Sequence, residues 1–161
     1  MHSRTAILVA AIALSLAGPS AAQQLPNMYG QSVTIDNAKK AAALAVGEAR
    51  KNNWYMAVAV VDTAGELVYF EKMDGTQAGS INVAIAKARS AARFKRPTKV
   101  FQDAVAGGGE GLRFLGLEGA VPVEGGIPLV SDGKIVGAIG VSGGTSPQDA
   151  QSAKAGADSL K

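Results

Sequence analysis

The sequence predicts an α+β domain in which an antiparallel sheet, built from two hairpins, is flanked by helices. Each hairpin is indicated by a turn between two apolar runs, at residues 62–65 (DTAG) and again at residues 131–134 (SDGK). The third observation is the recurrence of alanine at helical spacing before, between and after these hairpins. Two hairpins in one sheet imply antiparallel pairing with the helices packed on it.

The first 22 residues are predicted to be a secretory signal peptide. A charged start that includes Arg4 precedes the apolar run 5–17, and residues 20–22 (SAA) are small, as signal peptidase requires. The apolar run is too short to span a membrane, and no other stretch approaches the roughly 18–20 apolar residues that a span requires. We therefore expect a periplasmic or secreted protein with an N-terminal arm over 23–33 and a single domain over 34–161.

The composition excludes several classes of function. The chain has 16 Lys and Arg against 13 Asp and Glu, one His and no Cys, and removal of the signal peptide takes away Arg4 and His2. The remaining near-balance of charge, with no basic cluster backed by interleaved aromatic residues, argues against nucleic-acid binding. Without His or Cys, the mature chain can form no Cys/His zinc site, no histidine base and no disulfide. Any catalysis would use carboxylates, Lys, Arg, Tyr, Ser, Thr or backbone amides.

The first half of the domain is predicted to place a helix on each side of the first hairpin. Alanines at helical spacing predict a helix over 34–50. The valine-rich run 54–61 has the length of a central strand covered on both faces, and 67–73 completes the hairpin. A helix over 80–94 follows. Its predicted buried stripe consists of Ile81, Ala84, Ile85, Ala88 and Ala92.

The second half is also predicted to contain a helix, a hairpin and a final helix, with a glycine-rich stretch between the first helix and the hairpin. A short helix over 98–106 is followed by a loop region over 107–119, within which 112–115 is predicted to form a short strand. The runs 121–130 and 135–141 are predicted to form the second hairpin. A last helix begins at Ser146, with Pro147 at its first position.

A short motif at residues 140–144 (GVSGG) matches the G-x-S-x-G pattern of a nucleophile elbow around Ser142. The serine of such an elbow needs a histidine base, and none remains after export. A pair with Lys87 or Lys134 as the base is the remaining catalytic interpretation. The favoured interpretation is a glycine-rich strand end at which two backbones approach closely.

Acidic residues cluster around the first hairpin, and they are the candidates for acid–base catalysis. Asp62 and Asp74 could divide the acid and base roles if their surroundings separate their pKa values. Both also occupy turn positions, which their turn-forming side chains already explain.

Two further features stand out along the chain. Lys87 lies near the apolar stripe of its helix, so it either extends to solvent, which is the default, or meets an anionic partner. Glu124 is followed by Gly125, Gly126 and Pro128, which interrupt a predicted strand. That interruption indicates a sheet edge, a bulge or a bend that faces a ligand.

Five ordered motifs then resemble one family. They are residues 61–65 (VDTAG), 70–75 (FEKMDG), 86–91 (AKARSA), 125–128 (GGIP) and 137–143 (GAIGVSG). Together they resemble the GlcG/HbpS-like family, which also occurs as the C-terminal domain of PduO proteins, over about residues 34–160. The resemblance implies an antiparallel sheet flanked by helices, assembly into homo-oligomers, and binding of haem or a related tetrapyrrole by some members.

The resemblance also implies site residues. Met73, Asp74, Lys87, Gly125, Gly126 and Pro128 match positions of the family's motifs, and Ser90 stands where the family often has threonine. Since histidine is the usual axial haem ligand and is absent here, only a tyrosine, a methionine or a lysine could replace it, and Tyr69 and Met73 are the favoured candidates. A haem at a subunit interface would instead place its propionates on Lys87, Arg89 or Arg93.

Three hypotheses follow from these observations. The first is an exported protein that binds haem or another small ligand, with Tyr69, Met73, Asp74, Lys87 and the segment from Glu124 to Pro128 as candidate ligand-binding residues. The second is a cofactor-independent enzyme that acts on a small organic acid through Asp62, Asp74 or Lys87, which predicts Lys87 and Glu124 facing one cavity. The third is an oligomerising scaffold, which predicts apolar patches without convergent polar groups.

Overall fold

The computed structural model describes residues 28–160, so the predicted signal peptide and residues 23–27 lie outside the part described. The elements in chain order are α1 (Ile35–Lys51), β1 (Ala57–Val61), β2 (Leu67–Lys72), α2 (Ser80–Phe94), α3 (Lys99–Ala106), a 3₁₀ segment (Gly109–Gly116), β3 (Gly126–Ser131), β4 (Lys134–Ser142), α4 (Ser146–Ala157) and a short 3₁₀ turn (Asp158–Leu160). The two predicted hairpins are therefore confirmed, as are the helices around them.

The four strands form one antiparallel sheet in the order β2-β1-β4-β3. All five residues of β1 are buried, which confirms a central strand covered on both faces over Ala57–Val61. Residues 54–56 of the predicted run precede the strand, and Tyr55 is exposed. Val58 and Val60 face the cluster formed with α1 and α4, whereas Ala57, Ala59 and Val61 face the alanines of α2. The α+β class predicted from the sequence is confirmed.

Glycine brings α2 unusually close to the sheet. A Cβ atom on Gly140 of β4 would lie 2.1 Å from the carbonyl oxygen of Ala84 and 2.5 Å from the amide nitrogen of Ala88. No side chain fits in that space, so the helix backbone packs directly on the strand. This close approach sets the distance between α2 and the sheet.

Two predicted strand segments are corrected. Residues 112–115 belong to the 3₁₀ segment instead of a strand, because Phe114 packs on Phe101 of α3, with ring centroids 5.2 Å apart. The predicted strand over 121–130 begins only at Gly126, since the amide of Val121 donates to Ser90 Oγ and that of Glu124 to Gln102 Oε1. Those amides bind helix side chains and are not free for a strand ladder.

The loose arm predicted over 23–33 is also corrected for its described part. Tyr29 forms a parallel bridge with Ile135, and the amides of Gly30 and Val33 donate to the carbonyls of Ile135 and Val136. The Tyr29 hydroxyl donates to the Ala92 carbonyl at 2.8 Å. Residues 28–33 are therefore tied to β4 and α2. Within residues 28–160, none of the helices has the length and apolar character that crossing a membrane demands.

Candidate functional site

The turn that joins β1 to β2 is organised by one carboxylate. Asp62 Oδ1 accepts hydrogen bonds from the amides of Ala64 at 2.9 Å and Glu66 at 2.8 Å. Gly65 takes a φ of +88°, which favours glycine over other residues. Asp62, a candidate for acid–base catalysis, therefore holds the turn, and it points the carbonyls of Ala64 and Gly65 towards α2.

Those carbonyls hold two arginines of α2. Arg89 Nε donates to the Gly65 oxygen and Arg93 Nε to the Ala64 oxygen, each at 3.0 Å. A Cβ atom on Gly65 would lie 2.8 Å from Arg93 Nε, so a side chain at this position would displace the arginine from its present place. Glu66 completes the group, with Oε1 3.2 Å from Arg93 Nη2 and Oε2 3.8 Å from Arg89 Nη2. We refer to Arg89, Arg93 and Glu66 as the arginine cluster.

The arginine cluster stands at a groove of about 390 Å³, here called the arginine groove. Its walls are mainly apolar, with one amide and the two arginines as the polar groups. The lining consists of Leu67, Asn82, Ile85, Ala86, Arg89, Arg93, Gly119 and Val121. An apolar cleft with a few convergent polar groups is the usual form of a small-molecule site, and guanidinium groups suit carboxylates.

Ser90 supports one wall of this groove. Its hydroxyl is buried and accepts a hydrogen bond from the amide of Val121 at 3.1 Å. The hydroxyl thereby ties the segment 119–121 to α2. The serine hydroxyl at this position thus holds a wall of the groove.

Lys87 lies on the opposite side of α2 from solvent, with 1% of its side chain exposed. Its Nζ lies 2.6 Å from Asp149 Oδ2 of α4 and 3.1 Å from the carbonyl oxygen of Val141. The default expectation that Lys87 extends to solvent is therefore wrong, and it has an anionic partner within its own chain. Because it is buried against Asp149, Lys87 is not placed to receive a haem propionate.

The surroundings of Asp149 act on its carboxyl in two directions. Burial raises the pKa of Asp149, while the Lys87 ammonium and the amides of Gly144 and Gly143 lower it, burial being the larger effect. Asp149 Oδ1 accepts the amide of Gly144 at 3.0 Å. The pair joins α2 on one face of the sheet to α4 on the other, past the end of β3.

Gly125 and Gly126 make this ion pair possible. A Cβ atom on Gly125 would lie 3.0 Å from Lys87 Nζ and 2.9 Å from Asp149 Cβ, and one on Gly126 would lie 2.4 Å from the Lys87 carbonyl oxygen. The other side of these glycines forms the floor of a second groove, of about 450 Å³, which Glu124 also lines. Lys87 does not line that groove, so the arrangement of Lys87 and Glu124 facing one cavity is not found.

The start of β3 is closed as a sheet edge. Gly126 accepts a hydrogen bond from the amide of Thr98 at 3.0 Å, and its own amide donates to Thr98 Oγ1 at 2.9 Å. Pro128 has no amide hydrogen to offer a further strand. These contacts describe a protected edge, which is one of the three interpretations of this segment.

The candidate iron contacts lie apart from the arginine groove. Tyr69 and Met73 are half-buried and pack against the cluster beneath α1, on the face of the sheet opposite α2. The Tyr69 hydroxyl donates to Glu71 Oε2 at 3.3 Å, and burial together with the Glu71 carboxylate raises the pKa of Tyr69. A tyrosine that ligates haem iron does so as the phenolate, which this environment disfavours. Asp74 is exposed in the turn after β2.

Ser142 is not arranged as a nucleophile. It is buried, and its hydroxyl lies 3.3 Å from Ser80 Oγ, while Lys87 binds the carbonyl of the preceding Val141. Lys134 lies at the other end of β4. The interpretation as a glycine-rich strand end agrees with Gly143, where a Cβ atom would lie 2.1 Å from the Tyr55 carbonyl oxygen. Among residues 28–160, no group of three or more His, Cys, Asp or Glu side chains could hold a metal ion.

Sequence reasoning missed Asp149, and it identified Glu66 only as one of the acidic residues around the first hairpin, not as a partner of the arginines. Asp149 looks like an ordinary acidic residue in the first turn of a helix, and nothing local shows that the chain brings it to Lys87. Glu66 follows a turn glycine, where an exposed acidic residue is common. The available signal for the arginine cluster was the placement of Arg89 and Arg93 four residues apart on α2.

The chain matches known proteins over nearly all of the described part. The family model described as "Haem degrading protein HbpS-like" matches residues 33–158. Protein GlcG of Escherichia coli is 40% identical over 112 residues, which cover 68% of this chain and 82% of that protein. An uncharacterised 15.0 kDa protein of Citrobacter freundii is 33% identical over 120 residues, covering 73% of this chain and 84% of that protein.

Two solved structures have the same fold. A double mutant of Streptomyces reticuli HbpS superposes with a TM-score of 0.75 at 32% identity, covering 90% of this chain and 98% of that chain. A structure described as a complex of PduOC with heme has a TM-score of 0.72 at 26% identity, covering 81% of this chain and 96% of that chain.

Proposed function

Since the chain belongs to the HbpS-like family, we propose that it is an exported protein that binds haem, or a small ligand that likewise combines an apolar body with carboxylates, in the arginine groove. The observation that carries this proposal is the arginine cluster, in which two guanidinium groups are fixed beside an apolar cleft. The heme complex of PduOC, a structural neighbour, supports haem as the ligand.

The residues of the groove fit the two ends of a haem molecule. Arg89 and Arg93 would each bind one propionate, since guanidinium groups make short, charge-assisted hydrogen bonds with carboxylates. Leu67, Ile85 and Val121 would contact the apolar ring. Bound haem would supply an iron centre, and the groove contains no side chain of the usual ligating types. The protein would therefore hold the ligand by its propionates and its apolar faces.

The iron contacts proposed from the sequence remain Tyr69 and Met73. Both lie on the other face of the sheet from the arginine groove. If haem binds in the groove, Tyr69 or Met73 could contact its iron only when the side chain comes from a second copy of the chain, at an interface between subunits.

A haemin titration followed by absorbance tests the proposal. We expect a saturable Soret shift near one equivalent per chain that is weakened about tenfold or more in Arg89→Gln/Arg93→Gln. Arg113→Gln, which removes an exposed arginine paired with Glu110, is the matched control. No saturable shift, or an equal shift in the double variant, would refute binding in this groove. Loss of the Soret shift in Tyr69→Phe or Met73→Ala would support the iron contact.

Export is tested separately by the mass of the protein recovered outside the cytoplasm, which should correspond to a chain that begins at Gln23.

The alternative function is a cofactor-independent enzyme that acts on a small organic acid. The arginine groove could bind such an acid, but two of the three proposed catalytic groups are engaged elsewhere, Asp62 in its turn and Lys87 with Asp149. Asp74 is exposed. No observation favours this function over ligand binding.

A further inference from the structure

We propose that the Glu66 carboxylate is a built-in competitor for the arginine groove, because it remains bound to Arg89 and Arg93 until a ligand carboxylate displaces it. This inference rests on the proposed function, because it concerns how the same groove selects its ligand. It makes the affinity of the groove depend on an exchange of one carboxylate for another.

The geometry of Glu66 is that of a stand-in for a ligand. Its two oxygens are divided between two cations, one 3.2 Å from Arg93 Nη2 and the other 3.8 Å from Arg89 Nη2. Only the first distance is a hydrogen bond. One carboxylate is thus shared by two guanidinium groups, and the contact with Arg89 is incomplete.

The arginines keep their positions without Glu66. Arg89 Nε and Arg93 Nε are held by the carbonyls of Gly65 and Ala64, and those carbonyls belong to the turn that Asp62 organises. The backbone of Glu66 is fixed in the same turn by hydrogen bonds with Asp62. Displacement therefore needs only a rotation of the Glu66 side chain.

That rotation has a low energetic cost. The Glu66 side chain is 65% exposed, and exposed ion pairs of this kind contribute little to stability because water solvates the separated charges well. The released carboxylate therefore returns to water, and the arginine groups are left facing the groove.

The exchange favours ligands with paired carboxylates on an apolar body. A ligand with a single carboxylate only replaces Glu66 and gains its apolar contact alone. A ligand with two neighbouring carboxylates gives each arginine a partner of its own, which Glu66 cannot do. The proposed ligand class is thus an apolar molecule with two carboxylate arms, of which haem is one example.

The test compares haemin with haemin whose two propionates are amidated, in the wild-type chain and in Glu66→Gln. We expect Glu66→Gln to bind haemin about two- to fivefold more tightly, the factor that corresponds to losing one exposed ion-pair competitor. Binding of the amidated compound should not change. Glu110→Gln, which removes an exposed carboxylate away from the groove, should leave both affinities unaltered.

Each other result overturns the inference. Unchanged or weaker haemin binding in Glu66→Gln would mean that Glu66 positions the arginines, and equal tightening of the amidated compound would show an effect unrelated to carboxylates. If haemin binds, is lost in Arg89→Gln/Arg93→Gln and is unchanged in Glu66→Gln, only the competitor role fails. If neither the wild-type chain nor Glu66→Gln binds haemin, the proposed function fails with it.

Discussion

Lys87 shows how one side chain can have a structural role that its sequence position conceals. Its ammonium group is buried with Asp149, and both charges depend on each other and on nearby carbonyl and amide groups. Removing one member leaves the other charge buried without its partner, which is far more costly than the net contribution of the pair. The pair therefore joins α2 to α4 in a way that tolerates no single change.

We expect Lys87→Met to lower the free energy of unfolding by about 3–5 kcal/mol, measured by urea denaturation. The double variant Lys87→Met/Asp149→Leu should recover part of this loss, because neither charge is then left buried. Lys99→Met, which breaks the exposed pair with Asp103, should cost less than about 1 kcal/mol. Additive effects of the two single substitutions at 87 and 149 would show that the ion pair is not coupled.

Residue types predicted some of the site and not the rest. The turn at 62–65 and the placement of Arg89 and Arg93 on one face of α2 were readable, because turn chemistry and helical spacing are local properties. The contact of Arg93 with Ala64 and that of Lys87 with Asp149 are not local, since they join residues 29 and 62 positions apart. No sequence pattern sets such distances, which depend on how α2 lies on the sheet.

At the scale of elements, glycine in β4 determines where α2 lies. Gly140→Ala would place a methyl group 2.1 Å from the Ala84 carbonyl oxygen, so α2 would have to move away from the strand. We expect a loss of about 1–3 kcal/mol in the free energy of unfolding, as for other overpacked cores. Because α2 carries Arg89 and Arg93, haemin affinity should fall as well.

Gly47→Ala is the matched control for this prediction. Gly47 lies within α1, and a Cβ atom there would meet nothing within 4 Å. The substitution should stabilise the protein by about 0.4–1 kcal/mol, because alanine has the higher helix propensity. Thermal unfolding of the two variants should therefore shift in opposite directions, and a shift in the same direction would contradict the account of α2 packing.

The predicted element boundaries were wrong where side chains of the protein form hydrogen bonds with its own backbone. The hairpins and helices were predicted because turn signals and apolar spacing agree over whole segments. The strand expected at 121–125 was wrong, since Ser90 and Gln102 take up the amides that a strand would have used. The strand expected at 112–115 was wrong because its apolar residues pack on α3 and expose leucine to the outside.

At the scale of the whole molecule, the structure has both convergent polar groups and an exposed apolar surface. Leu112, Leu115 and Leu117 are each at least two-fifths exposed on the 3₁₀ segment and directly after it. In a 3₁₀ helix, residues three apart lie on the same edge, so Leu112 and Leu115 form one patch. Clustered exposed apolar residues are typical of interaction surfaces, whereas single ones are ordinary. The homo-oligomer predicted from the sequence would bury this patch.

Leu115→Glu tests that arrangement. Leu115 is 64% exposed, so the substitution should leave the fold of the single chain intact and place a charge where a second copy would pack. In sedimentation velocity we expect the wild-type chain to sediment as an oligomer and Leu115→Glu as a smaller species. Leu44→Glu, on the outer side of α1 and 46% exposed, introduces the same charge on a lone leucine and should not change the sedimentation. A monomeric wild-type chain would refute the oligomer. If Leu115→Glu remains oligomeric, the interface between subunits lies elsewhere.

The same measurement bears on the iron contacts. Because Tyr69 and Met73 can reach the arginine groove only from a second copy, a monomeric chain would also exclude them as contacts to a haem bound there.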